Sequence, residues 1–222
     1  FAQKTGGTLR STLRENPSSA SLHEESSITA ISPFMAVFNN LIIYDQHVEM
    51  ATTESIRPEL ATSWSWSADN KVLTMKLREG VKWHDGKPFT SADVQFTVME
   101  ALKKLHPRGI NTFRAVTAVD TPDPLTAVFR LSEPAPYLMM ALSSYESPML
   151  PKHVFGNGDL ARHPNANIPV GTGPFKFVEW QKGQFMRFDR NPDYRKPGLP
   201  HLDRIVARFI ADAGTRSAAM ET

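Results

Sequence analysis

The sequence has no cysteine. That excludes disulfides, thiolate metal sites, cysteine nucleophiles and a lipid-anchoring cysteine within these 222 residues. The compartment stays open, because a chain without disulfides suits an oxidising space as well as a reducing one. No apolar run approaches the length of a membrane helix, since proline or charge breaks the longest candidates. An excess of charge of one sign is also missing. The formal net charge is +2, which provides no broad basic field, and the aromatics are not interleaved with Lys/Arg clusters, so no nucleic-acid partner is expected. No signal peptide is present, although Phe1-Ala2-Gln3-Lys4-Thr5 is compatible with what remains after one is removed.

Chemical motifs are equally sparse. There is no GxSxG elbow and no HExxH. The seven histidines (His23, His47, His84, His106, His153, His163 and His201) are scattered without a short-spaced chelating pair. No metal, cofactor or catalytic residue is therefore expected. His23-Glu24-Glu25 reads as a solvated polar loop. Gly171-Thr172-Gly173-Pro174 lacks the GK[ST] ending of a phosphate loop and precedes a strand, so its glycines are expected to permit a tight bend.

The richest stretch is Leu73 to Leu102. Leu73, Met75 and Leu77 alternate with Thr74, Lys76 and Arg78, the period-two pattern of a half-buried strand. Glu79-Gly80 and Asp85-Gly86 mark turns, and Thr90-Ser91-Ala92-Asp93 fits a capping box that opens a helix carrying Val94, Val98, Ala101, Leu102 and Leu105 at helical spacing. His84 and Asp85 invite an acid/base reading. Adjacent residues on an extended segment point to opposite faces, however, so a turn binding nearby backbone is the favoured interpretation. A hydrolase-type enzyme using His84 and Asp85 in a cleft is the alternative.

Elsewhere the pattern gives a first strand over Thr8–Arg14, a helix opened by Ser32-Pro33 and running to Ile42, and a strand with Trp64 and Trp66 on which the Leu73 stretch pairs back as a hairpin across the turn Ser67-Ala68-Asp69-Asn70. Ala115–Asp120 and Leu125–Leu131 form a hairpin, and Pro134–Leu142 a short helix. GTGPFKFVEW and QFMRFDRN are paired strands, while the apolar run Ile205–Ile210 predicts a strand covered on both faces. A final helix from Gly214 stops with its pattern unfinished, which points to a longer protein.

Two long strings then become recognisable together. PELATSWSWSADNKVLTMKLREGVKWHDGKPFTSADVQFTV and GTGPFKFVEWQKGQFMRFDRNPDYRKPGLPHLDRIVARFI resemble, in order, two blocks of the peptide/nickel-type extracellular solute-binding proteins, family 5, of ABC importers. Arg195 departs from the pattern, standing where the family usually places tryptophan after NPxY. The resemblance implies an α/β fold, the periplasmic-binding-protein-like (type II) two-lobed clamp, with this chain supplying mainly lobe one. Residues 1–45 and 168–222 would form its main sheet and 46–167 an inserted subdomain, with the second lobe absent. It also implies a periplasmic or extracellular protein, acting as a monomer, that captures an oligopeptide, dipeptide or other small solute and delivers it to an ABC permease in the membrane. A module docking a chemoreceptor is a further role open to such a clamp. Glu25, Ser26, Ser27, Ile28 and Thr29 would correspond to an edge contacting the ligand backbone, available for strand addition. Phe113, Tyr145 and Glu146 fall near other contact regions of the family, with ordinary packing an equal possibility for the aromatics.

Overall fold

The computed structural model describes residues 5–144 and 147–220. Its strands are β1 (Thr8–Leu13), β2 (Ile42–Tyr44), β3 (Ile56–Pro58), β4 (Ala61–Trp66), β5 (Val72–Leu77), β6 (Val116–Asp123), β7 (Thr126–Leu131), β8 (Phe175–Gln181), β9 (Phe185–Arg190) and β10 (Arg204–Phe209). The helices are α1 (Ile28–Ile31), α2 (Ser91–Phe96), α3 (Gly109–Thr112), α4 (Leu138–Ser143), α5 (Lys152–Phe155) and α6 (Ala213–Met220). None is long and apolar enough to cross a membrane among the described residues.

Two four-stranded sheets organise the chain. One runs β1-β10-β9-β8, with β1 and β10 parallel and the other pairs antiparallel. The other, β4-β5-β7-β6, is wholly antiparallel; short turns join β4 to β5 and β6 to β7, and these two hairpins meet along β5 and β7. β2 and β3 pair separately. Each large sheet has its own core: Leu73, Met75, Ala127 and Phe129 lie in one, and Phe34, Phe175, Met186 and Phe188 in the other.

α2 and the π-helical turns that continue it over Thr97–Leu102 stand between the cores. Val94, Val98 and Leu102 enter the core of the antiparallel sheet, whereas Phe96 and Ala101 enter the other. The expected capping box is present, with the Thr90 amide donating to Asp93 Oδ2 at 2.9 Å. Asp93 is buried and fully engaged: Oδ1 also accepts from the Lys152 amide at 2.9 Å, which fixes α5 against the helix start. Thr97 repeats the device one turn later, its hydroxyl accepting from the Leu150 amide at 2.9 Å.

Two expectations are corrected. The helix expected from Ser32 to Ile42 begins a turn earlier, where the Ser27 hydroxyl caps the Ala30 amide, and it ends after a 3-10 turn at Phe34. Pro33 has no amide to donate and sits inside this short turn, and Ile42 belongs to β2. β10 is not covered on both faces. Ile205, Ala207 and Phe209 pack on the core while Arg208 is exposed, which is the alternation of a half-buried strand.

The loop Gly171–Pro174 joins the halves. The Gly173 amide donates to Val37 O at 2.8 Å and the Phe175 amide to Ala36 O at 3.1 Å. Neither glycine has positive φ. Their lack of a side chain serves close approach instead: a Cβ on Gly171 would sit 1.8 Å from Val37 O, and one on Gly173 2.5 Å from Ala36 O. Gly171→Ala is expected to destabilise by more than about 2 kcal/mol in urea unfolding, whereas Val178→Ala on the exposed sheet face stays within about 0.5 kcal/mol.

Candidate functional site

Between α1 and its following turn, β2, the C-terminal end of α4 and the Asn191–Lys196 turn lies a cavity of about 470 Å³. Ile31, Met35, Phe38, Ile43 and Pro148 line it with apolar surface, and Asn39, Asn40, Tyr44, Ser144 and Tyr194 add polar ends. Mostly apolar walls with a few placed polar groups are what a small-solute site requires. Glu59 and Lys196 are the charged groups among its described lining residues.

The polar wall is built from the joining loop outward. The Thr172 hydroxyl donates to Asn39 Oδ1 at 3.0 Å, and Asn39 Nδ2 donates to Glu59 Oε1 at 2.9 Å. The Glu59 side chain, 3% exposed, also pairs with Arg195 Nη2, and Lys196 Nζ lies 3.5 Å from its other oxygen. Burial, then the Glu59 charge, pushes the Tyr194 phenol up, so it remains neutral. Arg195, at the position where the resemblance leads to tryptophan, is the counter-ion of a buried carboxylate. Nothing in the local sequence around Glu59 announces this partner 136 positions away.

The sequence-derived site residues are distributed unevenly. Ser27 is the cap of α1, and Ile28 and Thr29 lie in the helix, so the extended edge expected over Glu25–Thr29 is absent there. Glu25 accepts from the Ser18 hydroxyl. Ile31, one turn beyond Ile28, reaches the cavity wall. Phe113 is buried in the core of the antiparallel sheet and borders a second cavity, of about 280 Å³, that shares Ser144 with the first. Tyr145 and Glu146 lie outside the described residues.

His84 and Asp85 point away from each other, as their adjacency predicted. His84 Nε2–H donates to Gly173 O at 3.0 Å, while Nδ1 accepts from the Gly171 amide at 3.3 Å. This pair of partners fixes the neutral tautomer and occupies both ring nitrogens. Burial pushes its pKa down to about 4. Asp85 instead pairs with His153 Nε2 at 2.6 Å. The arrangement splices a turn to a loop and leaves neither His84 nitrogen free to act as a base.

Among the described residues no group of three or more His, Asp or Glu is placed to hold a metal ion.

With this geometry in hand, comparison with known proteins is informative. The sequence model described as bacterial extracellular solute-binding proteins, family 5 Middle, matches residues 55–222. A putative ABC transporter peptide-binding protein of Brucella abortus is 36% identical over 190 residues, covering 83% of this chain and 34% of that protein. The oligopeptide-binding protein AppA of Bacillus subtilis is 36% identical over 174 residues, covering 75% of this chain and 31% of AppA. The solved structure of AppA in complex with a nonapeptide superposes with a TM-score of 0.87 at 28% identity, covering 98% of this chain and 43% of that one. NikZ from Campylobacter jejuni, in complex with Ni(L-His), gives 0.83 at 29% identity, with 96% and 41% covered. The chain belongs to the family 5 bacterial extracellular solute-binding proteins. It has the α/β fold of the type II periplasmic binding proteins, of which it forms one lobe, and it spans about a third of the length of the curated relatives it matches.

Two expectations can be measured. His84 has its folded pKa below the unfolded value, so its contribution to stability is complete above pH 6.5 and is lost as pH falls from 6.5 to about 4. The loss amounts to roughly 3 kcal/mol. His23, also lowered by burial, acts in the same direction. His84→Gln, followed by urea unfolding between pH 7 and pH 4, should flatten most of this dependence. Separately, Glu59→Ala leaves Arg195 buried without its counter-ion and should cost about 3–5 kcal/mol by the same method.

Proposed function

We propose that the protein is the solute-binding component of an ATP-driven importer, working in the periplasm or outside the cell. It captures an oligopeptide, dipeptide or other small solute and hands it to a membrane permease. The observation that carries this reading is the cavity of about 470 Å³ in a chain of this family, with apolar walls and few polar ends. The names of the Brucella abortus and Bacillus subtilis relatives support a peptide as the solute.

In this reading residues 1–45 and 168–222 make the main sheet of lobe one, and 46–167 an inserted subdomain. The second lobe lies outside this chain and closes over the cavity by a hinge motion. Glu25, Ser26, Ser27, Ile28 and Thr29 precede Ile31 on the cavity wall and flank the solute through the start of α1. Tyr145 and Glu146 lie in sequence between Ser144 and Pro148, both on that wall. Phe113 acts through packing behind Ser144. The protein works as a monomer, without nucleic acid and without catalysis. Against a hydrolase stands the use of both His84 ring nitrogens in backbone hydrogen bonds.

Native mass spectrometry and calorimetry of the full-length protein with a peptide library test the reading. Saturable capture with a rise in Tm is expected, and Met35→Trp, which adds bulk at a half-exposed wall position, should weaken capture by about tenfold or more without lowering Tm. Absence of binding across the library would remove the basis for the proposal.

A further inference from the structure

The charges around the cavity do not balance, and the surplus is placed where a solute would meet it. Glu59 is 3% exposed in its side chain and Arg195 10%, so this pair is sequestered in the wall. Asn39 Nδ2 occupies Glu59 Oε1 as well, and Arg78 Nε holds the Glu59 backbone carbonyl at 3.0 Å. Lys196 is different. Its side chain is 45% exposed and lines the cavity, and its ammonium lies 3.5 Å from Glu59 Oε2. Glu59 already has a nearer cation in Arg195, so the three groups together carry one net positive charge, located on Lys196. No other charged side chain is among the described lining residues.

We infer that Lys196 is a specificity-determining residue of the cavity, holding a carboxylate of the captured solute: a free C-terminus, an acidic side chain or a simple organic acid. This rests on the solute-binding reading of the same cavity. The ammonium has three donors to offer. A carboxylate beside it gains a charge-assisted hydrogen bond and pairs the surplus charge in a partly desolvated place. A solute ending in an ammonium would meet like charge instead. Arg195 contributes indirectly, as a positioning residue: by neutralising Glu59 it keeps that carboxylate from consuming Lys196 and from repelling the solute. The neutral Tyr194 phenol beside them adds no opposing charge.

The test uses the full-length protein and matched pairs of probes, each a short peptide or small organic acid together with its primary amide, measured by calorimetry. The acids are expected to bind roughly tenfold tighter than their amides. Lys196→Met should abolish that difference while leaving the affinity for the amides in place, and Lys196→Arg should restore it. The exposed position of Lys196 makes either substitution compatible with folding, checked by unchanged Tm. Binding of acids and amides with equal affinity, or a preference that survives Lys196→Met, overturns the assignment while leaving solute capture intact. Failure of every probe, acid and amide alike, overturns both the assignment and the capture reading.

Discussion

The approach of one backbone to another, Gly171–Gly173 against Ala36–Val37, is the constraint on which the rest of the structure depends. No side chain other than hydrogen fits at Gly171, where Val37 O lies within 1.8 Å of where a Cβ would be. The contact delivers the polypeptide into β8 at a fixed height relative to the turn after α1, with Gly173 and Phe175 both donating to that turn. Buried backbone groups freed by the approach still need partners. His84 meets the Gly171 amide and the Gly173 carbonyl, Asn191 Nδ2 donates to the same carbonyl at 3.0 Å, and Thr172 reaches Asn39. Three segments, at Ala36–Asn39, His84 and Asn191, are thereby fixed to one four-residue loop.

The cavity follows from that arrangement. Asn39, held by Thr172, presents its amide to Glu59, which in turn collects Arg195 and stands beside Lys196. Asn191, anchored on Gly173 O, begins the turn that carries Tyr194, Arg195 and Lys196 to the same place. The other wall is set by packing. The helix from Ser91 to Leu102 feeds both cores, and Thr97 and Asp93 hold the backbone at Leu150 and Lys152, downstream of Pro148 on the cavity rim. A wall fixed by buried polar bonds on one side and by core packing on the other is preorganised, so on the proposed function little ordering cost would remain for a solute.

Local features were legible in the sequence, whereas long-range ones were not. The Thr90/Asp93 capping box, the β4–β5 and β6–β7 hairpins and the β8–β9 pair depend on neighbours within a few residues, and their patterns predict them correctly. Ser32-Pro33 misled because Pro at a helix start is a strong local signal, while the Ser27 hydroxyl, an equally good cap, stands six residues before the proline. The apolar run Ile205–Ile210 was ambiguous by nature, since how many faces are covered depends on what packs there. The cavity wall comes from segments spread between Leu22 and Lys196. Its central ion pair joins Glu59 to Arg195, and only the departure from the family pattern at Arg195 gave any sign of it.

The same distinction explains why the chain's family is easier to read than its solute. Residues in the hub touch backbone atoms of this chain: His84 needs one donor and one acceptor nitrogen to match an amide and a carbonyl, and Gly171 needs no side chain at all. Their identities are dictated by the fold, so the stretches around them mark the architecture. Met35, Ile43 and Lys196 meet the cavity instead, where the matching partner is not part of the polypeptide. On the proposed function, what these residues must be is set by the solute's shape and charge. Among the described residues the Lys196 ammonium is the strongest such signal, because the carboxylate beside it, Glu59, already has a nearer counter-ion in Arg195.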